Sequence, residues 1–219
     1  DQSEPSIKNL VLALSLLYID PEHLRGVVIK ARASPVREKL QSALKELFKC
    51  KTQKRIYPSI SDSVLYGELD FTRTLDAGKP INTLGYFEEK SAIFSLMMAE
   101  RMDPSLAAKC ASALDRNKHF SIVAFDEGLS DELPVRSSLR DRLAFLIECD
   151  SFKYSVSNQI KFDKTELDFA KERLLNIRIS DNLIEPVSTL CNQLGIFSLR
   201  APILTCYVAR AIAALHRQS

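Results

Sequence analysis

No apolar run in this 219-residue sequence reaches the roughly 18 residues that a membrane-spanning helix requires. Nor does it open with the basic, then apolar, then small-residue order of a secretory leader. The expectation is a cytoplasmic protein without a membrane partner. Cysteine is sparse and unpatterned: Cys50, Cys110, Cys149, Cys191 and Cys206 lie 60, 39, 42 and 15 positions apart. None of these gaps is a metal-ligand spacing, and an odd number in a chain of this length argues against a disulfide framework, so buried reduced thiols are expected. The three histidines, His23, His119 and His216, are distant from one another and from any cysteine or acidic cluster. A histidine-centred metal or nucleophile site is therefore not expected. A dominant charge is missing as well: 30 Lys and Arg against 28 Asp and Glu leave +2, which names neither nucleic acid nor a membrane surface as partner.

What is present is globular. Hydrophobic residues make up 46% and charged residues 26%, values that exclude disordered, collagen-like and low-complexity chains. Ile7, Leu10, Val11, Leu14 and Leu17 recur at helical spacing until Asp20-Pro21 stops them. Four short apolar runs, Val27–Ile29, Ala92–Met98, Ile122–Phe125 and Ala144–Ile147, are of the kind found in buried parallel strands. Ser34-Pro35 opens a helix with Val36, Leu40, Ala43, Leu44 and Phe48 on one face. Asp103-Pro104 opens another with Leu106, Ala107, Cys110 and Leu114. Residues 56–90 are the least regular, and after Asp150 three helices follow, at about 164–175, 181–194 and 200–216, without a strand. The expected fold is α/β: a parallel-sheet core over residues 1–160 and a small helical domain over 161–219. Residues 36–55 carry seven basic and two acidic side chains. Such a run either holds phosphates or an acidic partner, or is a solvated helix end.

A strand, short loop and helix near the N-terminus is where a nucleotide-hydrolysing fold places its phosphate loop, G-x-x-x-x-G-K-[ST]. The matching stretch reads Ala31-Arg32-Ala33-Ser34-Pro35-Val36-Arg37-Glu38. Ala31 and Val36 stand where the glycines belong, Pro35 lacks an amide donor, Arg37 replaces the lysine, and Glu38 sets a negative charge against a polyanion. The same residues form a good helix start: Ser34 as N-cap, Pro35 in the first turn, Glu38 against the dipole. The second element, an apolar strand ending in acids that order Mg2+, reads Ile93-Phe94-Ser95-Leu96-Met97-Met98-Ala99-Glu100. Met97 and Met98 occupy the acidic positions as core filler, and Glu100 comes two residues late and is expected to point elsewhere. No cofactor is expected in cis.

Several stretches, in this order, resemble one family. They are Leu65-Tyr66-Gly67-Glu68-Leu69-Asp70, Met98-Ala99-Glu100-Arg101-Met102, Val123-Ala124-Phe125-Asp126-Glu127-Gly128-Leu129 and Leu139-Arg140-Asp141-Arg142-Leu143-Ala144-Phe145. Ile179-Ser180-Asp181 to Leu194-Gly195, Leu199-Arg200-Ala201 and Ala209–Leu215 complete the set. Over residues 5–219 the chain resembles the AAA+ domain of magnesium chelatase, in particular the D subunits of bacteriochlorophyll-making bacteria. The resemblance implies an AAA+ core with a helical lid, and a degenerate, non-catalytic member of a ligase-class complex. In that complex the partner ATPase (I) subunit uses ATP and Mg2+, and the I and D rings drive an H subunit that inserts Mg2+ into protoporphyrin IX. A hetero-oligomer is implied, with no nucleic acid. The resemblance also implies roles for three arginines. Arg136 and Arg142 flank the segment that in the family carries an arginine finger, and Arg200 matches the sensor-2 arginine of the lid. Such arginines act on a neighbour's site and need no nucleotide of their own. At the sensor-1 position Glu127 replaces the expected Asn. The family's hairpin before the fourth strand is shortened to Asp115–His119. Two rival readings stand beside this one: a weak ATPase using Arg37 as substitute phosphate ligand, and a nucleic-acid-binding AAA+ relative resting on the basic run at 49–55.

Overall fold

The computed structural model describes residues 3–129, 132–152 and 160–217. Helix α1 (Ser3–Ile19) buries Leu10, Leu14 and Leu17 completely and ends at Asp20, after which Pro21 opens the one-turn α2 (Pro21–Leu24). Strand β1 (Gly26–Lys30) follows, then α3 (Pro35–Leu47), β2 (Thr52–Ile56), α4 (Asp62–Tyr66) and α5 (Phe71–Ala77). The order continues with β3 (Ala92–Leu96), α6 (Pro104–Arg116), β4 (Phe120–Asp126), α7 (Ser137–Arg140) and β5 (Phe145–Glu148). Helices α8 (Lys164–Leu174), α9 (Ile184–Gln193) and α10 (Arg200–Leu215) close the chain.

The five strands form one parallel sheet in the order β2-β3-β4-β1-β5. The central pair β1 and β4 is in register from Gly26 opposite Ile122 to Lys30 opposite Asp126. Gly26 is required by close approach: a Cβ there would lie 2.0 Å from the Ile122 carbonyl oxygen. One face of the sheet packs against α1 and α3, and the same apolar cluster extends through Leu167, Ala170 and Leu174 of α8 to Ala211 and Ala214 of α10. The other face packs against α4, α6 and α7, with Phe87, Phe94 and Phe120 in mutual ring contact at 4.9 to 6.3 Å between centroids.

The four apolar runs are strands, and the sheet is parallel as their alternation with helices implies. Two details differ. β5 is a half-buried edge with Leu146 exposed. The basic run that reads as a helix end contains a fifth strand, β2, at the opposite edge. Its charged side chains belong to an edge, and local contacts hold them: Lys54 Nζ lies 2.6 Å from Glu89 and over the Tyr86 ring, while Gln53 donates to the carbonyls of Lys45 and Phe48. Only Ile56 is buried, so period-2 apolar patterning had almost nothing to act on. Three cysteines are buried, Cys206 is half-buried and Cys50, against expectation, is exposed; all five are free. Burial pushes the thiols of Cys110 and Cys149 up to about 12, which leaves both as uncharged packing groups. Among the described residues no helix is long and apolar enough to cross a membrane, and no group of three or more His, Cys, Asp or Glu is placed to hold a metal ion.

Candidate functional site

In an open parallel sheet, ligands bind beyond the carboxyl ends of the strands. Here β1 leads into Ala31–Ser34, β3 into Met97–Arg101 and β4 into Asp126–Gly128, and the three segments are joined to one another. The Ala31 amide donates to the Asp126 carbonyl at 2.9 Å, and the Glu127 amide to Glu100 Oε2 at 2.9 Å. Arg37 Nη1 lies 2.7 Å from Glu127 Oε2, with the two side chains only 15% and 19% exposed. The Arg37 guanidinium also sits over the Phe125 ring, 5.9 Å from its centroid.

The loop's donors are engaged internally. Ser34 is extended and its Oγ accepts from the Arg37 amide at 3.2 Å, the N-cap that the Ser-Pro start implies. The Arg32 amide donates to Asp150 Oδ1 at 2.7 Å, and the Glu38 amide to the Ser34 carbonyl at 3.1 Å. Pro35 contributes no N–H. Around these amides stand Glu38, Glu100, Asp126, Glu127 and Asp150, with Arg101 against Glu100, Arg37 against Glu127 and Arg32 against Asp150. The Arg37 cation is paired with Glu127, and the amides of Arg32, Arg37 and Glu38 already bond to protein. Glu100 corrects the sequence expectation. It does not point away, because Met98 adopts a left-handed conformation (φ 51°) that turns the chain and buries the Glu100 side chain to 3% exposure against Gly128. Met97 is core, as expected, whereas Met98 is only half-buried.

The arginines lie elsewhere. Arg142 binds Asp115 with two nitrogens, Nε at 2.9 Å, and donates a third bond to the Ser138 carbonyl. Arg200 reaches the same carboxylate at 3.6 Å and Asp141 at 3.3 Å, and the Ser198 hydroxyl also donates to Asp141. Arg25 adds bonds to the carbonyls of Leu114 and Asn117. The bond from Arg142, then the charges of Arg142, Arg200 and Arg25, hold the Asp115 carboxyl below the usual carboxylate range despite some desolvation. Asp115, in the last turn of α6, thus gathers two of the three candidate arginines, an arrangement with no signature in the sequence. The cluster sits where β5 begins, two residues before the Ala144 amide bonds to the Leu24 and Gly26 carbonyls at the start of β1. It is at the opposite end of the strands from Arg37. Arg136 stands at the N-cap of α7, half-exposed, with no ion pair to any described residue.

The sheet order, the crossover helices and the three terminal helices define an α/β protein with one five-stranded parallel sheet and a helical C-terminal part. A crystal structure from Cytophaga hutchinsonii, described as a "putative ATPase", shares this fold with a TM-score of 0.68 at 12% identity, over 97% of this chain and 76% of that one. No family model matches the chain. By sequence it is homologous to the magnesium-chelatase 60 kDa subunit: 39% identical to that of Cereibacter sphaeroides over 202 residues, 92% of this chain, and 31% identical to that of Rhodobacter capsulatus over 208 residues, 95% of this chain. The chain spans only 36% and 37% of the length of these relatives.

Proposed function

We propose that this chain is a non-catalytic AAA+ platform of a magnesium chelatase, with residues 161–219 as its lid. It assembles with the ATPase (I) subunit and supports ATP-driven insertion of Mg2+ into protoporphyrin IX on the H subunit. The single observation that carries the non-catalytic part is the Arg37–Glu127 pair at 2.7 Å, which occupies the phosphate end of the fold with the protein's own charges. The chelatase part rests on the homology over nine-tenths of the chain. Arg136, Arg142 and Arg200 act on a neighbour's site in this reading. Support comes from Arg142 and Arg200 lying at the amino ends of the strands, remote from this chain's own phosphate end, where they have no use in cis. Arg136 is the one without an internal partner among the described residues, and so is the first choice for a finger; Arg142 and Arg200 have to exchange Asp115 for phosphate oxygens.

The test is site-resolved. Backbone amide resonances of Ala33, Val36, Arg37 and Gly128 are followed while a non-hydrolysable ATP analogue and Mg2+ are added to the chain. They are expected to stay in place into the millimolar range. Saturable micromolar shifts at these amides would overturn the reading in favour of a weak ATPase in which Arg37 leaves Glu127 for phosphate.

A further inference from the structure

The amino ends of the strands, opposite the closed phosphate end, carry a feature that the platform role does not use. The segments before β1, β2, β3 and β4 surround a cavity of about 310 Å3, closed on one side by α8 and α10. Each strand entry brings a cation or an imidazole: Lys51 before β2, Lys90 before β3, Lys118 and His119 before β4, His23 before β1. Lys171 of α8 and Arg210 of α10 come from the helical side. The acids present are Asp20 and Glu22. Asp20 is already engaged, its Oδ1 2.6 Å from His23 Nδ1 and its Oδ2 3.9 Å from Arg210. Arg210 is further tied to the Ile177 and Leu174 carbonyls. Four lysines therefore face Glu22, and none of them forms an ion pair with a described carboxylate.

Like charges gathered around one cavity repel, and a bound anion relieves that repulsion. Burial, and then the Lys171 ammonium, hold the Lys51 amine below the usual lysine range. Ammonium groups on flexible stems are point charges suited to tetrahedral phosphate oxygens, with no need for the planar fork that a carboxylate favours. The cavity is near the lower bound of about 300 Å3 for ligand pockets and is ringed by chain segments, so it suits a compact ligand and not an extended peptide. We propose that this pocket binds an oligophosphate, two or more linked phosphoryl groups, either free or as the phosphate tail of a nucleotide.

Calorimetric titration of the 219-residue chain with sodium tripolyphosphate at low salt tests this, with ATP as the second arm. Tripolyphosphate is expected to bind at micromolar concentration. Lys51→Glu/Lys171→Glu is expected to weaken binding by about tenfold or more, from two charge reversals at partly solvated positions. Because Lys51 is half-buried, Lys90→Glu/Lys171→Glu, both at exposed positions, serves as the second variant and is expected to act in the same direction. Lys45→Glu/Arg55→Glu, on another face of the chain and of equal charge change, should leave affinity within about twofold. Equal affinity for tripolyphosphate and ATP assigns the site to oligophosphate as such; tighter ATP binding, lost in the same lysine variants, assigns it to a nucleotide's tail. Absence of binding into the millimolar range, or equal weakening by the control pair, overturns the proposal. ATP binding that shifts the Ala33 and Gly128 amides and ignores the lysine variants would overturn the closed phosphate end instead, so the two failures are distinguishable.

Discussion

Replacing Arg37 by Ala removes the cation that faces Glu127 and leaves a carboxylate, about four-fifths buried, with no counter-charge. Breaking a fully buried ion pair costs about 3–5 kcal/mol. Both partners here keep some solvent access, and Glu127 can rotate toward water, so about 2–3 kcal/mol is expected, the lost packing over Phe125 included. For a chain of this size that is a fall in Tm of about 4–12 °C, taking roughly 2–4 °C per kcal/mol. The double variant Arg37→Met/Glu127→Leu removes both charges at similar volume and should return to within about 1 kcal/mol of wild type. Denaturant unfolding of wild type, Arg37→Met, Glu127→Leu and the double variant closes the thermodynamic cycle, and a coupling energy of about 1.5 kcal/mol or more is expected. Additive effects, or an Arg37→Ala variant as stable as wild type, would refute the argument. They would mean that the guanidinium is held loosely and is available to an incoming phosphate.

Arg142→Ala should cost about 1 kcal/mol, because it strips Asp115 of a two-nitrogen contact, whereas Arg136→Ala should stay within about 0.5 kcal/mol of wild type. Both should lower the ATPase or chelatase activity of the assembled complex, and unchanged activity in both would remove the trans-arginine role. Asp115 is held below its ordinary carboxylate range when folded. Its contribution to stability is therefore complete above the unfolded pKa of about 3.9 and is lost as pH falls through the depressed folded value. Arg142→Ala should flatten that part of the acid-unfolding profile. Gly26→Ala places a methyl group 2.0 Å from the Ile122 carbonyl oxygen and must push β1 from β4. A loss of about 3 kcal/mol is expected, and a neutral result in a melting experiment would show that the pairing can slide.

Much of the scaffold was legible because each piece rests on a local rule. Ser34-Pro35 and Asp103-Pro104 start helices through their own side chains and fixed φ, so the Ser34 bond to the Arg37 amide and the Asp103 bond to the Leu106 amide follow from sequence alone. Continuous apolar runs such as Ile122–Phe125 mark strands buried on both faces. The departure of Ala31–Glu38 from the glycine-rich pattern was likewise visible residue by residue. β2 was not, because an edge strand needs no apolar face and takes its stability from pairing with β3. Tertiary structure alone decided which charges meet. Arg37 and Glu127 are ninety residues apart and meet only because β1 and β4 are neighbours in the sheet. Asp115 of α6 draws together Arg142 from the turn after α7 and Arg200 from α10, and four lysines from separate segments reach one cavity at the amino ends of the strands. Composition and periodicity report what each residue prefers locally; which charges end up within a few ångströms of one another depends on strand order, which no local preference encodes.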